Sequence, residues 1–446
     1  MPPRTTNPPP LQSLPTAEGI SRLQSIAITI WVVLVTSADL KLIVPYVHWY
    51  GTIALVVLTG TALSRALWSG MRFSIVTGSL LVLSIGAVGL GSADPVYELL
   101  EAGKLGGIRL GVLPLLTLGV PATSAAFRGA RIAVYVNVVL AFAGALGYGA
   151  LSGLMAPGRF GTVLNTPGSL WRVGVLALAG SVLRFSSGRA KPRDLPLLLG
   201  SLVLLLLDGS RTAFVILSCG GAALVIALMR RSVSRVGKGR PLALIVGTAC
   251  LAPMLLVLSA GSGLFFESGE VGLLRRGLTV VQAIVTGNSD DIDRIDSARS
   301  QMNRDVIAAI ADHPVLGNGM GTTRSGATAG PLVIHNAYLQ IWADVGLLGF
   351  LSFTALTLGS IPVLRARYRR RAGGDAERRI LFYNGMFLLA CWGVAALLHP
   401  VSTELSEWIM FILGYSSVVA AGTAPALRPI PYRADGRTQL HRGCLA

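Results

Sequence analysis

Few side chains in this sequence can do chemistry, and they stand out against the apolar runs around them. His335 and Asn336 open the run HNAYLQIWADVGLLGF (335–350). An imidazole has the ordinary pKa nearest neutrality, so His335 is suited to take a proton from a hydroxyl. Asn336 stands where a helix N-cap belongs. Arg211 follows Gly209-Ser210 at the start of another apolar run, where a helix N-terminus adds backbone donors and a positive dipole end. Arg159 opens RFGTVLNTPGSL (159–170), and Arg299 and Arg304 lie at the approach to RDVIAAIAD (304–312). Read from the residues alone, Arg211 is a snorkelling interface anchor. Arg299 and Arg304 fit a solvated helix face as well as a binding role. His399 and Glu404 fit either the mouth of a site or a polar loop.

Other groupings lead away from cofactor chemistry. The cluster Asp290, Asp291, Asp293 and Asp296 lacks the central glycine and terminal glutamate of a calcium loop, so it reads as a solvated turn. Gly317, Gly319 and Gly321 follow no strand and open no βαβ unit, so they are turn glycines rather than a nucleotide loop. Cys219, Cys250, Cys391 and Cys444 have no spacing suited to zinc or a disulfide framework. Neither a metal nor a cofactor is expected.

These residues must be positioned by membrane helices. The composition is 52% hydrophobic and 13% charged, with a mean hydropathy of +0.64, well beyond what a soluble core needs. The apolar residues fall in blocks near 24–43, 44–64, 73–91, 107–127, 131–152, 170–186, 195–208, 210–229, 241–262, 341–364, 380–398 and 405–422. Each approaches the roughly 17–25 residues of a membrane-crossing helix, and continuous Leu, Val, Ile and Ala runs exclude the alternation of a barrel strand. The expected fold is all-α: a polytopic membrane protein with about twelve spans and one large extracytoplasmic loop carrying short amphipathic helices. Residues 1–23 read as a disordered cytoplasmic tail with no signal peptide, 24–262 as spans one to nine, 263–340 as the loop, 341–422 as spans ten to twelve, and 423–446 as a second cytoplasmic tail.

The net charge of +17 raises the question of nucleic acid, but its distribution points to the positive-inside rule instead. With loops assigned alternately, one side holds 26 of the 38 Lys and Arg, and the short loops of the other hold six: Lys41, Lys104, Arg109, Arg159, Arg172 and Arg211. This predicts cytoplasmic termini and places 263–340 outside. Arg159 and Arg211 then sit against the bias, at the outer boundary. Within the outer segment, 270–285 places Leu273, Leu274, Leu278, Val281 and Val285 on one face, as a helix lying on the bilayer would. Val306, Ile307 and Ile310 mark a second helix ending before His313-Pro314, and LGNGMGTT (316–323) is rich in turn residues.

The run DHPVLGNGMG (312–321), followed by HNAYLQIWADVGLLGF before a span, resembles the signature of the O-antigen ligase and polymerase superfamily of bacterial polysaccharide assembly. RFGTVLNTPGSL resembles that family's Arg–Gly–Asn–Pro loop, and LLLDGSRTAFVIL (205–217) its Ser-Arg helix start, in matching order over about 159–350. The resemblance implies a metal-independent glycosyltransferase of the bacterial inner membrane. It would take a glycan from a polyprenyl diphosphate carrier on the outer face and join it to the hydroxyl of a glycan, lipid or other acceptor. It would work in the bilayer, in contact with other polysaccharide-assembly proteins, and bind no nucleic acid. Arg211, then Arg159, Arg299 and Arg304, would hold the diphosphate, since an arginine fork binds phosphate oxygens bidentately and keeps its charge near lipid. His335 would be the general base, with Asn336 capping its helix or orienting the substrate. Ligase and polymerase share this chemistry and differ in an acceptor held by variable loops. The alternative is a secondary transporter of bicarbonate- or solute-carrier type. That class places ionisable groups or broken helices near the midplane, whereas Asp39, Asp208, Arg211 and Asp344 fall near span ends.

Overall fold

The computed structural model describes residues 20–60, 65–90, 94–146, 160–186, 189–210, 212–213, 215–216, 297–326, 332–371 and 376–423. Within these the chain is almost wholly helical. The elements are α1 (Arg22–Thr36), α2 (Leu40–Ile43), α3 (Val47–Thr59), α4 (Arg65–Gly89), α5 (Pro95–Ala145), α6 (Leu170–Ser186), α7 (Asp194–Asp208), α8 (Ser297–Asp312), α9 (Ala337–Thr354), α10 (Ser360–Arg371), α11 (Ala376–Leu398) and α12 (Leu405–Thr423). A π-helical turn, Ala355–Gly359, joins α9 to α10. Strands β1 (Arg324–Ser325) and β2 (Leu332–Val333) pair antiparallel, Arg324 opposite Val333.

Among the described residues five helices are long and apolar enough to cross a membrane: Arg72–Gly89, Pro95–Gly144, Ala337–Arg369, Ala376–Leu398 and Leu405–Gly422. Together with the apolar composition they make this a multi-pass membrane protein. Most of the expected span 210–229, all of 241–262, the helix at 270–285, the acidic cluster and nearly all of both tails lie outside the described residues; α1 begins at Arg22, inside the expected tail 1–23.

Sequence signals set several helix ends. Ser21 accepts from the Gln24 amide while the Gln24 side chain accepts from the Ser21 amide, both at 3.1 Å, closing a capping box on α1. Asp94 caps α5 by accepting from the Tyr97 amide, ahead of Pro95 in the first turn. The block expected over 24–43 stops at Thr36. There the Thr36 and Ser37 hydroxyls donate to the carbonyls of Val32 and Val33, and the chain breaks into the short α2.

The division expected between 107–127 and 131–152 falls elsewhere. α5 runs on through Arg128 and Arg131, and its break is at Gly119 (φ 63°, ψ −138°), between Pro114 and Pro121. Gly111 lies against Trp31, and Gly129 against Thr29 and Val32. A straight helix would hold those two glycines ~27 Å apart, yet both touch one turn of α1, so the chain folds back at Gly119. Only glycine enters that backbone region freely. Hydropathy had placed the loop on the charges, where it sees the apolar run interrupted.

α12 is the central helix, almost fully enclosed. It meets α11 where Gly385 and Gly414 face each other: a Cβ on Gly385 would lie 2.7 Å from the Gly414 carbonyl oxygen. Small residues allow such close backbone contact in a membrane, where hydrophobic burial cannot drive helices together. Phe353, Trp392, Trp408 and Phe411 pack beside this contact, with Trp392 and Trp408 ring centroids 4.6 Å apart.

Candidate functional site

At one end of the bundle four connections converge: the 160–169 loop, the chain just after α7, the 399–404 loop, and the entry to α9. The first is held from below by two carboxylates. Asp39 accepts from the Thr166 amide. Asp208, fully buried, accepts from the amides of Gly168 (2.9 Å) and Trp171 (3.1 Å) and of Ser210 (3.2 Å). Asn165 accepts from the Ala38 amide (3.2 Å) and donates to Asn137 (3.1 Å), which also accepts from Thr162 (2.7 Å). The polar side chains Thr162 and Asn165 are thus spent on holding the loop's shape.

The second and third connections meet at His399. Its Nε2 lies 2.9 Å from the Thr212 hydroxyl, and its ring stacks on Trp171 at 6.0 Å. Beside it Arg172, 7% exposed, forms a bidentate pair with Glu407. Such a fork fixes direction as well as charge. A narrow cavity between these groups is also lined by Ala337 and Pro400. The 399–404 loop is pinned by Lys41 to Glu404 (3.6 Å), by the Thr403 hydroxyl to Glu101, and by the Val401 amide to the Gln340 side-chain oxygen Oε1 (2.8 Å).

The fourth connection carries the histidine. After α8 the chain turns through Gly317, Gly319 and Gly321, all with positive φ (79°, 107° and 73°). Glu98 of α5 accepts from the Met320 amide, and the fully buried Asp344 accepts from the amides of Gly321 (2.8 Å) and Thr323 (3.1 Å). α9 is itself broken at Gly346 (φ 76°, ψ −173°). There the Leu347 amide donates to Val315 and the Asn318 amide to Ala343. A Cβ on Gly317 would lie 2.4 Å from the Asp344 carbonyl oxygen, so two backbones touch where these glycines meet.

On this scaffold β2 ends two residues before His335, and the His335 Nδ1 lies 2.8 Å from the Val333 carbonyl oxygen. A carbonyl only accepts, so Nδ1 carries the proton. In the neutral ring Nε2 then presents its lone pair, and it makes no hydrogen bond among the described residues. In the chain His335 stands between Ile334, buried against Met302 and Val306 of α8, and the capped start of α9. Asn336 is that cap: its Oδ1 accepts from the Tyr338 (3.1 Å) and Leu339 (3.2 Å) amides.

The other expected site residues divide. Arg159 and Arg211 lie outside the described residues, although Thr212, next to Arg211, docks on His399. Arg299 is half-buried on the helical stripe of Met302 and Val306 that faces α9. Arg304 points to the opposite side of α8, exposed, with its guanidinium donating to the Gln301 side-chain oxygen Oε1 (2.9 Å). Asp305 accepts from the Ser325 hydroxyl and from Gln301, and the Ser325 bond above all holds its carboxyl below the usual range. No cluster of three or more His, Cys, Asp or Glu suited to a metal occurs among the described residues.

Reasoning from the sequence passed over Arg172, Glu407, Trp171 and Glu98. Arg172 carried the signal that marked Arg159 and Arg211, a cation against the charge bias. The other three are visible only through their partners.

Residues 196–354 match the O-antigen ligase family model. No curated protein matches the chain. The O-antigen ligase match runs from α7 through α9, and so takes in Asp208, the turn glycines, His335 and Asp344. The 160–169 loop and the Arg172–Glu407 pair lie outside the stretch matched to the O-antigen ligase family.

Proposed function

We propose that this chain is a membrane glycosyltransferase of O-antigen ligase or polymerase type, moving a glycan from a polyprenyl diphosphate carrier to an acceptor hydroxyl in cell-surface polysaccharide assembly. The observation that carries this reading is His335: within the matched stretch, its Nδ1 proton is committed to Val333 and its Nε2 lone pair is available. Nε2 takes the acceptor proton as the acceptor oxygen bonds to the anomeric carbon. The bond from that carbon to the phosphate oxygen breaks, and the diphosphate leaves with its electron pair.

Negative charge gathers on the leaving group, so cations that bind it more strongly in the transition state accelerate the step. Arg211 and Arg159 take that role, with Arg299 completing the set from α8. They make a metal unnecessary. Asn336 acts by fixing the start of α9, since its Oδ1 is already occupied. In this reading the chain crosses the inner membrane twelve times with both termini in the cytoplasm and the site outside. The fold-back at Gly119 leaves two helical segments where the sequence expects two spans, which supports this reading.

The test is single-turnover transfer from a lipid-linked glycan across pH, with protein yield held equal. His335→Ala should lower the rate by roughly 10²–10⁴, and His335→Gln by nearly as much, without comparable loss of carrier binding. Glutamine can hydrogen-bond but is no base near neutral pH. A Gln variant with most of the native rate would make His335 structural.

A further inference from the structure

Away from His399, a cavity of about 650 Å³ opens between α5, α6, α7 and α11. Along α11 its lining residue Asn384 and Ala396 of the narrow cavity by His399 are ~18 Å apart, so the two are distinct places in the fold. Six cationic side chains line the larger one: Arg128, Arg131, Arg184, Lys191, Arg193 and Arg378. The carboxylates that face them are Asp194 and Glu377. Asp194 already accepts from the Lys191 amide at 2.7 Å, and Glu377 pairs with Arg189 at 3.4 Å and with Arg184. Arg131 shares the cavity wall with Arg128, Arg184 and Arg193, with Asp194 among them. The guanidinium groups of Arg128, Arg131 and Arg193 make no hydrogen bond among the described residues.

Loop cations need no explanation beyond topology. Arg128 and Arg131 are not in a loop, however: they lie inside α5, nine and twelve residues past the fold-back at Gly119. Two uncharged groups on the same wall point the same way. The Ser181 hydroxyl and the Asn384 carboxamide oxygen are buried, with 2% and 4% residue exposure, and have no partner among the described residues. Buried polar atoms are ordinarily satisfied. Ser181 can donate, and the Asn384 amide, with no hydrogen bond among the described residues, can turn its NH₂ inward.

We propose that this cavity binds a phosphate group, carried either by an anionic phospholipid or by a soluble phosphate, whose oxygens bridge α5, α6 and α11. The cations supply the charge, Ser181 and Asn384 supply neutral donors, and the ligand relieves the repulsion among the arginines. The proposal stands apart from the transfer reading, since none of these residues belongs to the His335 site.

The experiment is thermal unfolding of the full-length protein in phosphatidylcholine nanodiscs, alone, doped with phosphatidylglycerol, or with added inorganic pyrophosphate. One of the two anions should raise Tm by several degrees through binding to the native state. A rise with phosphatidylglycerol only assigns the site to a lipid headgroup, and a rise with pyrophosphate assigns it to a soluble phosphate. The shift should vanish in Arg128→Gln/Arg131→Gln and shrink in Asn384→Leu, which changes no charge. It should persist in Arg365→Gln/Arg369→Gln, which removes as much charge from α10, away from the cavity. No shift with either anion overturns the proposal, as does an equal loss in the α10 variant, which would mean diffuse surface attraction. Should the double α5 variant not fold, Asn384→Leu decides alone, and an undiminished shift there overturns it.

Discussion

If Arg211 carries the leaving diphosphate, its charge is not enough. Arg211→Ala should abolish transfer in a protein that still folds and inserts, and Arg211→Lys should also be poor, because lysine keeps the charge but loses the two-pronged fork. The measurement is transfer rate against folded yield, and a fully active lysine variant would reduce Arg211 to an electrostatic anchor. Asp305 offers a second test at this scale. Its native pKa lies below the ordinary value, so its contribution is present above pH ~4 and is lost as pH falls through the depressed native value. Ser325→Ala should therefore flatten the acid side of the stability profile measured by thermal unfolding, and an unchanged profile would dismiss the Asp305–Ser325 bond. His335 and Asn336 could be found in the sequence because both stand at the edge of an apolar run with a cap position beside them. Asp39 and Asp208 could not. Their partners, Thr166 and Gly168, are 127 and 40 residues away, and nothing local to an aspartate near a span end announces a loop that will dock on it.

Among the elements, α6, α7 and α12 were legible almost to the residue, and the end of α11 likewise, because turn or polar residues bracket largely apolar runs; α11 starts four residues before its expected block. The breaks inside α5 and α9 were not. Hydropathy reads Gly119 and Gly346 as neutral, whereas each is the point where the backbone leaves the helical region. Gly346→Ala tests the second break. Its Cβ would lie 2.1 Å from the Val315 carbonyl oxygen at a φ of +76°, so crowding and positive φ act together, at about 1–3 kcal/mol for the first alone. The variant should lose both Tm and transfer, since the misplaced turn carries His335 with it. Gly86→Ala in α4 is the control: a Cβ there meets nothing within 4 Å, and the added helix propensity should leave stability equal or slightly higher. Equal behaviour of the two would show that the α8–α9 turn tolerates rearrangement.

For the whole molecule the quantity to measure is orientation. The excess of cations in the loops assigned to the cytoplasm predicts Ser297 outside and Ser234 inside. Single cysteines at these positions, in a background without the native four, should differ in labelling by an impermeant thiol reagent in intact cells, with 297 reacting and 234 protected. The opposite pattern would invert the protein and move His335 to the other face.

The fold-back at Gly119 also bears on how the protein is made. Between the two halves of α5 there is no hydrophilic linker that a translocon could leave on one side of the bilayer while the second half waits in the ribosomal tunnel. If both halves cross the bilayer, they are expected to partition into lipid together, as a helical hairpin, and Arg128 and Arg131 to enter with them. An arginine carried into the membrane in this way costs several kcal/mol until it reaches polar company, so we expect the second half of α5 to settle only once the helices that bring Asp194 and Glu377 have arrived to enclose those two side chains.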